Sequence, residues 1–324
     1  MSLGKTVTLN SGKTIPQIGL GTWLSQPNEV EHAVEWAIEA GYRHIDCAII
    51  YQNQHEVGAA LKKVIPSVVK REDLFITSKL WNSSHQPDQV ERELDETLAQ
   101  LGTDYLDLYL VHWPVAFPPG ALFLPDESKP GYLKLDTETP LVDTWRAMIK
   151  LLDTGKVRSI GVSNHSVEHI KGIIAATGVK PAVNQVEAHP LLPQDALVEY
   201  CKAEGIHLTA YSPLGNNLVG KTKLVDYPEV AEVAKRLGAT TAQVLVAYGV
   251  YRGYSVIPKS VQKERIIANF QQIELSKEDY EKIAEIGHKA HTRFNIPLTY
   301  VPHWDVNLFG EEEEKGATHT VKIL

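Results

Sequence analysis

Cysteine is nearly absent: only Cys47 and Cys201 occur in 324 residues. Two thiols cannot make the disulfide framework of a small secreted fold, so the chain is expected to depend on its core alone. Positive charge is also in deficit, with 32 Lys and Arg against 40 Asp and Glu and a net charge of −8. A molecule of that sign repels nucleic-acid phosphate, and no nucleic-acid partner is expected. No run approaches the roughly 18 apolar residues of a membrane span. The opening Met1-Ser2-Leu3-Gly4-Lys5 lacks the apolar centre of a secretory signal. These absences together point to a reducing, cytoplasmic setting. Repeats, linkers and low-complexity tracts are missing too, so residues 1–324 read as one domain, a monomer by default with a dimer still open.

What is present is alternation. Short apolar runs at 18–21, 42–46, 74–80, 106–112, 159–163, 182–187, 207–211 and 255–258 read as strands. Helix-like segments lie between them at 29–40, 89–101, 141–154 and 194–204. In the first, Val30, Ala33, Val34, Ala37 and Ile38 fall at helical spacing. Eight strands, each followed by a helix, predict an α/β chain: a (β/α)8 TIM barrel, or an open doubly wound sheet, which fits the same alternation. Residues 1–17 read as an N-terminal hairpin covering one end. The connection from Trp113 to Pro140 carries six prolines and two glycines and reads as a long loop. A second long connection runs from Ser212 to Pro228. The tail from residue 291 has little periodicity and includes the acidic run Glu311 to Glu314.

Chemistry-bearing residues gather where strands end. Asp46 ends the second strand, Tyr51 follows it, Lys79 closes the third and His112 the fourth. In a barrel the C-terminal strand ends converge on one face, so these four can meet. Tyrosine, with a pKa of about 10, is a poor acid near neutrality. A neighbouring ammonium favours the phenolate and eases proton exchange. Asp46 can keep Lys79 charged, and His112 can hydrogen-bond a substrate oxygen. Such a set suits protonation of a carbonyl oxygen while a cofactor delivers hydride to its carbon. Read singly, each is an ordinary polar strand end.

The sequence resembles the aldo-keto reductase family along nearly its whole length. The resemblance is carried by Gly19-Leu20-Gly21-Thr22-Trp23, Gly41-Tyr42-Arg43-His44-Ile45-Asp46, Tyr51-Gln52-Asn53 with Glu56-Val57-Gly58, and Lys79-Leu80-Trp81. Further along it rests on Asp107 to Pro114, Gly161-Val162-Ser163-Asn164, Asn184-Gln185-Val186-Glu187, Tyr211-Ser212-Pro213-Leu214 and Ile257-Pro258-Lys259-Ser260. It implies the barrel, and carbonyl reduction in which Tyr51 donates a proton, Asp46 and Lys79 tune it, and His112 orients the carbonyl. It also implies that Ser163, Asn164 and Gln185 hold the nicotinamide carboxamide and that Tyr211 stacks on the ring. Thr22, Trp23, Asp46, Ser212, Leu214, Val261 and Asn269 complete the implied cofactor contacts. Lys259, Ser260 and Arg265 match the family's site for the 2′-phosphate, and two cations with a hydroxyl suit a dianion. The implied cofactor is therefore NADPH/NADP+, with NADH a weaker alternative. One departure is Ala268, where many relatives carry a glutamate that contacts the adenine amine. Cys47 reads as a packed small residue rather than a reactive thiol.

Three motif matches are set aside. Gly215 to Thr222 fits the phosphate-loop pattern, but too little chain follows before Pro228 for the helix that pattern needs; the resemblance makes it a loop over the cofactor pyrophosphate. His165-Ser166-Val167-Glu168-His169 fits an inverted zinc-protease pattern, yet Ser166 reads as a helix N-cap, and no metal site is expected. Gly19-Leu20-Gly21 begins a dinucleotide fingerprint, but Leu24 stands at its third glycine. Trp23, Trp81, Trp113 and Trp304 are expected to line a pocket for a small-molecule carbonyl substrate. The tail segments Arg293 to Pro297 and Trp304 to Phe309 are expected to form a pocket wall, and this tail resembles those of fungal polyol and sugar-aldehyde reductases, which implies glyceraldehyde, pentoses or uronic acids as substrates. The rival reading is a regulatory subunit that senses cofactor state with little turnover.

Overall fold

The structure is a computed structural model that describes residues 5–215 and 221–324. Its centre is a sheet of eight parallel strands in sequential order. They are β1 (Leu20–Gly21), β2 (His44–Asp46), β3 (Phe75–Leu80), β4 (Leu108–Val111), β5 (Ile160–Ser163), β6 (Val183–Glu187), β7 (His207–Tyr211) and β8 (Ser255–Val256). Parallel bridges Ile18↔Val256 and Gly21↔Lys259 join the last strand to the first, which closes the sheet into a (β/α)8 barrel and removes the open-sheet alternative. Most strands are shorter than their apolar runs, because the flanking residues make only isolated cross-strand bonds, such as Asp107 N–H to the Ile76 carbonyl at 3.0 Å and His112 N–H to the Leu80 carbonyl at 3.1 Å.

Ten helices among the described residues surround the sheet: α1 (Glu29–Ala40), α2 (Gln54–Val64), α3 (Pro87–Leu101), α4 (Leu141–Leu151), α5 (Val167–Thr177), α6 (Asp195–Glu204), α7 (Pro228–Leu237), α8 (Thr241–Tyr251), α9 (Lys263–Phe270) and α10 (Lys277–Lys289). The five apolar positions expected to face inward from α1 are its five buried residues. Helices α1 to α6 bury such faces in the main core with the strands, whereas α7 and α10 pack with much of α8 in a separate apolar cluster. A glycine is needed on β5: a Cβ on Gly161 would sit 2.5 Å from the Val183 carbonyl oxygen.

The N-terminal hairpin pairs Thr6–Thr8 with Thr14–Pro16. Its Leu9 and Ile15 pack on Phe75, Leu108, Ala182 and Val183, at or just before strand starts, so it plugs the N-terminal end. The other end carries the two long features expected from sequence. Residues 113–140 form a loop tied to the tail by the bridge Tyr132↔His303. After α10 the tail crosses the barrel mouth and finishes on α4. There Leu141 and Val142 donate their backbone N–H to the carbonyls of Lys322 and Ile323 at 2.8 and 3.0 Å. Those helix-terminal donors have no intrahelical partner, so the chain end supplies one.

Candidate active site

The four strand-end residues converge at the C-terminal mouth. Asp46 is the last residue of β2, Lys79 the penultimate residue of β3, and His112 follows β4. Tyr51 ends a single 3-10 turn, Ile49–Tyr51, that redirects the chain after β2. The Lys79 Nζ donates to Asp46 Oδ2 at 2.7 Å, to the Cys47 carbonyl at 2.8 Å and to the Tyr51 hydroxyl at 3.1 Å. An ammonium has three donors, and here all three are used. The His112 ring meets the Tyr51 ring edge-on, with centroids 5.8 Å apart.

Burial governs the electrostatics. Burial disfavours the charged form of Lys79, but the Asp46 charge and the Tyr51 oxygen outweigh it, and its pKa is raised. Tyr51 moves against the expectation drawn from its neighbour. Desolvation of the phenolate exceeds the pull of Lys79, and its pKa is pushed up to about 12. Tyr51 is thus a protonated acid rather than a phenolate, and Lys79 limits how far the rise goes. Burial, then the Lys79 charge, drives His112 well below the usual histidine range, leaving a neutral imidazole. Cys47 is fully buried and its thiol is pushed up to about 12, as a packed residue would be.

Beside this group, β5, β6 and β7 end in a second polar set. Asn164 Nδ2 donates to the His112 carbonyl at 2.9 Å, and Tyr211 donates its hydroxyl to Asn164 Oδ1 at 2.7 Å. Ser163 Oγ donates to the Gln185 carbonyl at 2.8 Å. Gln185 Nε2 donates to Asp46 Oδ1 at 2.7 Å, joining the two sets. Asn164 (φ 62) and Ser212 (φ 49) adopt left-handed backbone, a strained conformation for non-glycine residues that recurs at ligand sites.

The family model described as Aldo/keto reductase family matches residues 17–288. The chain belongs to the aldo/keto reductase family. The D/L-glyceraldehyde reductase of Hypocrea jecorina is 52% identical across 100% of this chain and 99% of that protein. The glycerol 2-dehydrogenase (NADP(+)) of Saccharomyces cerevisiae is 44% identical over 87% of this chain and 91% of its own length. The solved aldose reductase of Schistosoma japonicum superposes with a TM-score of 0.85 at 43% identity, covering 96% of this chain and 98% of that one. This aldo-keto reductase is accordingly an oxidoreductase that reduces carbonyls with a nicotinamide cofactor, and the reading as a regulatory subunit is not favoured. No helix among the described residues is long and apolar enough to cross a membrane.

The remaining expected residues divide by environment. Thr22 is buried, its hydroxyl donating to the Asp46 carbonyl at 2.8 Å, while Trp23 beside it is 43% exposed at the rim. Lys259 and Arg265 are exposed and Ser260 half-buried; Leu214 and Val261 pack partly against the core, and Asn269 is buried. Lys259 Nζ donates to the Leu24 carbonyl at 2.8 Å, across the seam between β8 and β1. Trp81, Trp113 and Trp304 form one aromatic cluster. Trp81 lies edge-on to His112 at 5.5 Å, and Trp304 lies edge-on to Trp113 at 5.4 Å.

Sequence reading missed Phe117, Phe123 and Tyr300 in this cluster. The first two lie in the proline-rich loop, where no periodicity marks a side chain as inward. It also missed Glu187, although its place two residues after Gln185 on one strand put both on the same face. Of the motifs set aside, Ser166 is the N-cap of α5 and exchanges capping bonds with His169. Residues 216–220, the centre of the phosphate-loop match, lie outside the described residues.

Proposed function

We propose that this protein is an NADPH-dependent reductase of small hydroxy-aldehydes, of the glyceraldehyde and sugar-aldehyde class, that also runs the reverse oxidation of the alcohol or polyol. The observation that carries the chemistry is the wholly buried Lys79 ammonium held between Asp46 and the Tyr51 hydroxyl. Tyr51 is the proton donor, and the ammonium stabilises the phenolate left behind. Neutral His112 directs the carbonyl oxygen toward Tyr51 without competing as an acid. When bound, the cofactor supplies hydride to the carbonyl carbon.

The residues suit that cofactor. Gln185 Oε1 has no hydrogen-bond partner among the described residues, and Asn164 Oδ1 accepts only from Tyr211, so acceptors for a carboxamide N–H remain at the mouth. Exposed Lys259 and Arg265 supply positive charge for a 2′-phosphate, which supports NADPH over NADH. Two of its relatives, a D/L-glyceraldehyde reductase and a glycerol 2-dehydrogenase (NADP(+)), support the substrate class and the cofactor. The chain is taken as one domain acting as a monomer in the cytoplasm, a setting that suits two buried, unpaired cysteines.

The test is NADPH oxidation, followed by absorbance, with glyceraldehyde, pentoses, uronic acids and bulky aromatic carbonyls. Tyr51→Phe should lower kcat by about 10²–10⁴ while NADPH still quenches tryptophan fluorescence. Turnover confined to bulky carbonyls would overturn the substrate class, and an active Tyr51→Phe would overturn the proton donor.

A further inference from the structure

Glu187, the last residue of β6, is a carboxylate buried at the barrel mouth, 1% exposed. Its four side-chain hydrogen bonds come from His189 Nε2 at 2.8 Å, the backbone N–H of Phe294 and of Asn295 at 2.8 Å each, and Asn295 Nδ2 at 2.9 Å. Burial would raise its pKa, yet these donors hold it below the usual carboxylate range. Three of the four come from the tail, more than a hundred residues away in sequence.

What the tail does next gives this contact its meaning. Asn295 Oδ1 accepts the Tyr300 hydroxyl at 3.2 Å. The Tyr300 ring lies edge-on to Trp113 and to Trp304, at 6.3 and 5.7 Å. Trp113 in turn stacks on His112. A continuous path of contacts therefore runs from the Glu187 carboxylate through the tail to the imidazole facing Tyr51. Two residues earlier on the same face, β6 carries Gln185, bonded to Asp46. One strand thus supports both the proton-donor group and the aromatic wall opposite it.

We infer that Glu187 is a positioning residue that fixes the tail as the substrate wall and thereby sets the affinity for small carbonyls. The inference rests on the active-site reading above. The Glu187 carboxylate touches no reacting atom; it acts through Asn295, Tyr300 and Trp113. An anion is required because it accepts two adjacent backbone N–H groups and an amide at once. The amide of a glutamine has a single acceptor oxygen and turns two N–H donors toward donors.

The test is Glu187→Gln in the full-length enzyme, read in two ways. In steady state, KM for the best-turned-over small aldehyde should rise about tenfold to a hundredfold, since a displaced wall loses binding shared by the ground and transition states. kcat and the NADPH dissociation constant should stay within about threefold of the parent, because Lys79, Tyr51 and Gln185 are untouched. Amide exchange should show Phe294 and Asn295 losing protection while β7 keeps it. Asn295→Ala, which spares the carboxylate but removes one tail donor and the acceptor of the Tyr300 hydroxyl, should raise KM in the same direction. Unchanged KM, or persistent protection at Phe294 and Asn295, would overturn the inference. A fall in kcat at constant KM would overturn it too, since that marks general destabilisation. Failure of the parent to turn over glyceraldehyde would instead count against the substrate reading, and the Glu187 measurement would stand with whichever carbonyl the parent reduces.

Discussion

Asp46→Asn changes one atom type at the centre of the site and leaves its shape intact. Two unit charges 2.7 Å apart attract by roughly 6 kcal/mol at an effective dielectric of about 20. Desolvation offsets part of this, but removing one partner of a buried pair still costs about 3–5 kcal/mol. Lys79 is fully buried, so the variant escapes much of that cost by losing the lysine proton. The neutral amine then no longer stabilises the Tyr51 phenolate, and kcat at pH 8 should fall by about 10²–10⁴. The pH profile is the sharper readout. Activity requires protonated Lys79, and its pKa in the variant is depressed by burial, so kcat should climb as pH falls from 8 to 6. The parent, with Lys79 and Tyr51 both raised, should be nearly flat over that window. The assay is NADPH oxidation across pH with cofactor affinity measured in parallel. A variant within about threefold of parental kcat, with a flat profile, would refute the idea that the ion pair sustains the acid.

Arg265→Ala should raise KM for NADPH by about 10–100-fold, the value of one charge-assisted hydrogen bond, and leave KM for NADH within about threefold; equal effects on both cofactors would count against a 2′-phosphate role. Acid should unfold the protein early. Burial holds His44, His169 and His207 at about 4 and His85 at about 3. Each folded value lies below the unfolded one of about 6.5. Stability is therefore complete above pH 6.5 and is lost as pH falls toward 4, by up to about 3 kcal/mol per histidine. The urea midpoint should be constant above pH 7 and drop steeply between 6.5 and 4; a midpoint unchanged at pH 4.5 would contradict it. Gly161→Ala forces a Cβ to 2.5 Å from the Val183 carbonyl and 2.8 Å from Leu110 Cδ2. It should cost about 1–3 kcal/mol, seen as a lowered melting temperature with unaltered substrate preference.

Local pattern made some features legible. The α1 stripe was readable because a helix facing a sheet must repeat its apolar residues at 3.6. The alternation of apolar runs and helices was readable for the same reason, though it left barrel and open sheet equally allowed. Closure is a long-range fact: Ile18 meets Val256, and Gly21 meets Lys259. The aromatic wall was half legible. Trp81 and Trp113 follow strands and so face the mouth, whereas Phe117 and Phe123 sit in a loop whose path is set by contacts with the tail.

The catalytic group divides along the same line. Sequence by itself determined that Asp46, Lys79 and His112 stand at strand ends with Tyr51 close behind, because strand ends are local and a barrel gathers them on one face. Only the tertiary structure decided what those neighbours do to one another. An ammonium next to a tyrosine argues for a lowered pKa, but the depth of burial reverses the sign and makes Tyr51 an acid held near 12. Likewise Glu187 was one more polar strand end until Phe294 and Asn295 arrived from the far end of the chain. Burial and long-range donors depend on the whole fold, and no window of sequence contains them.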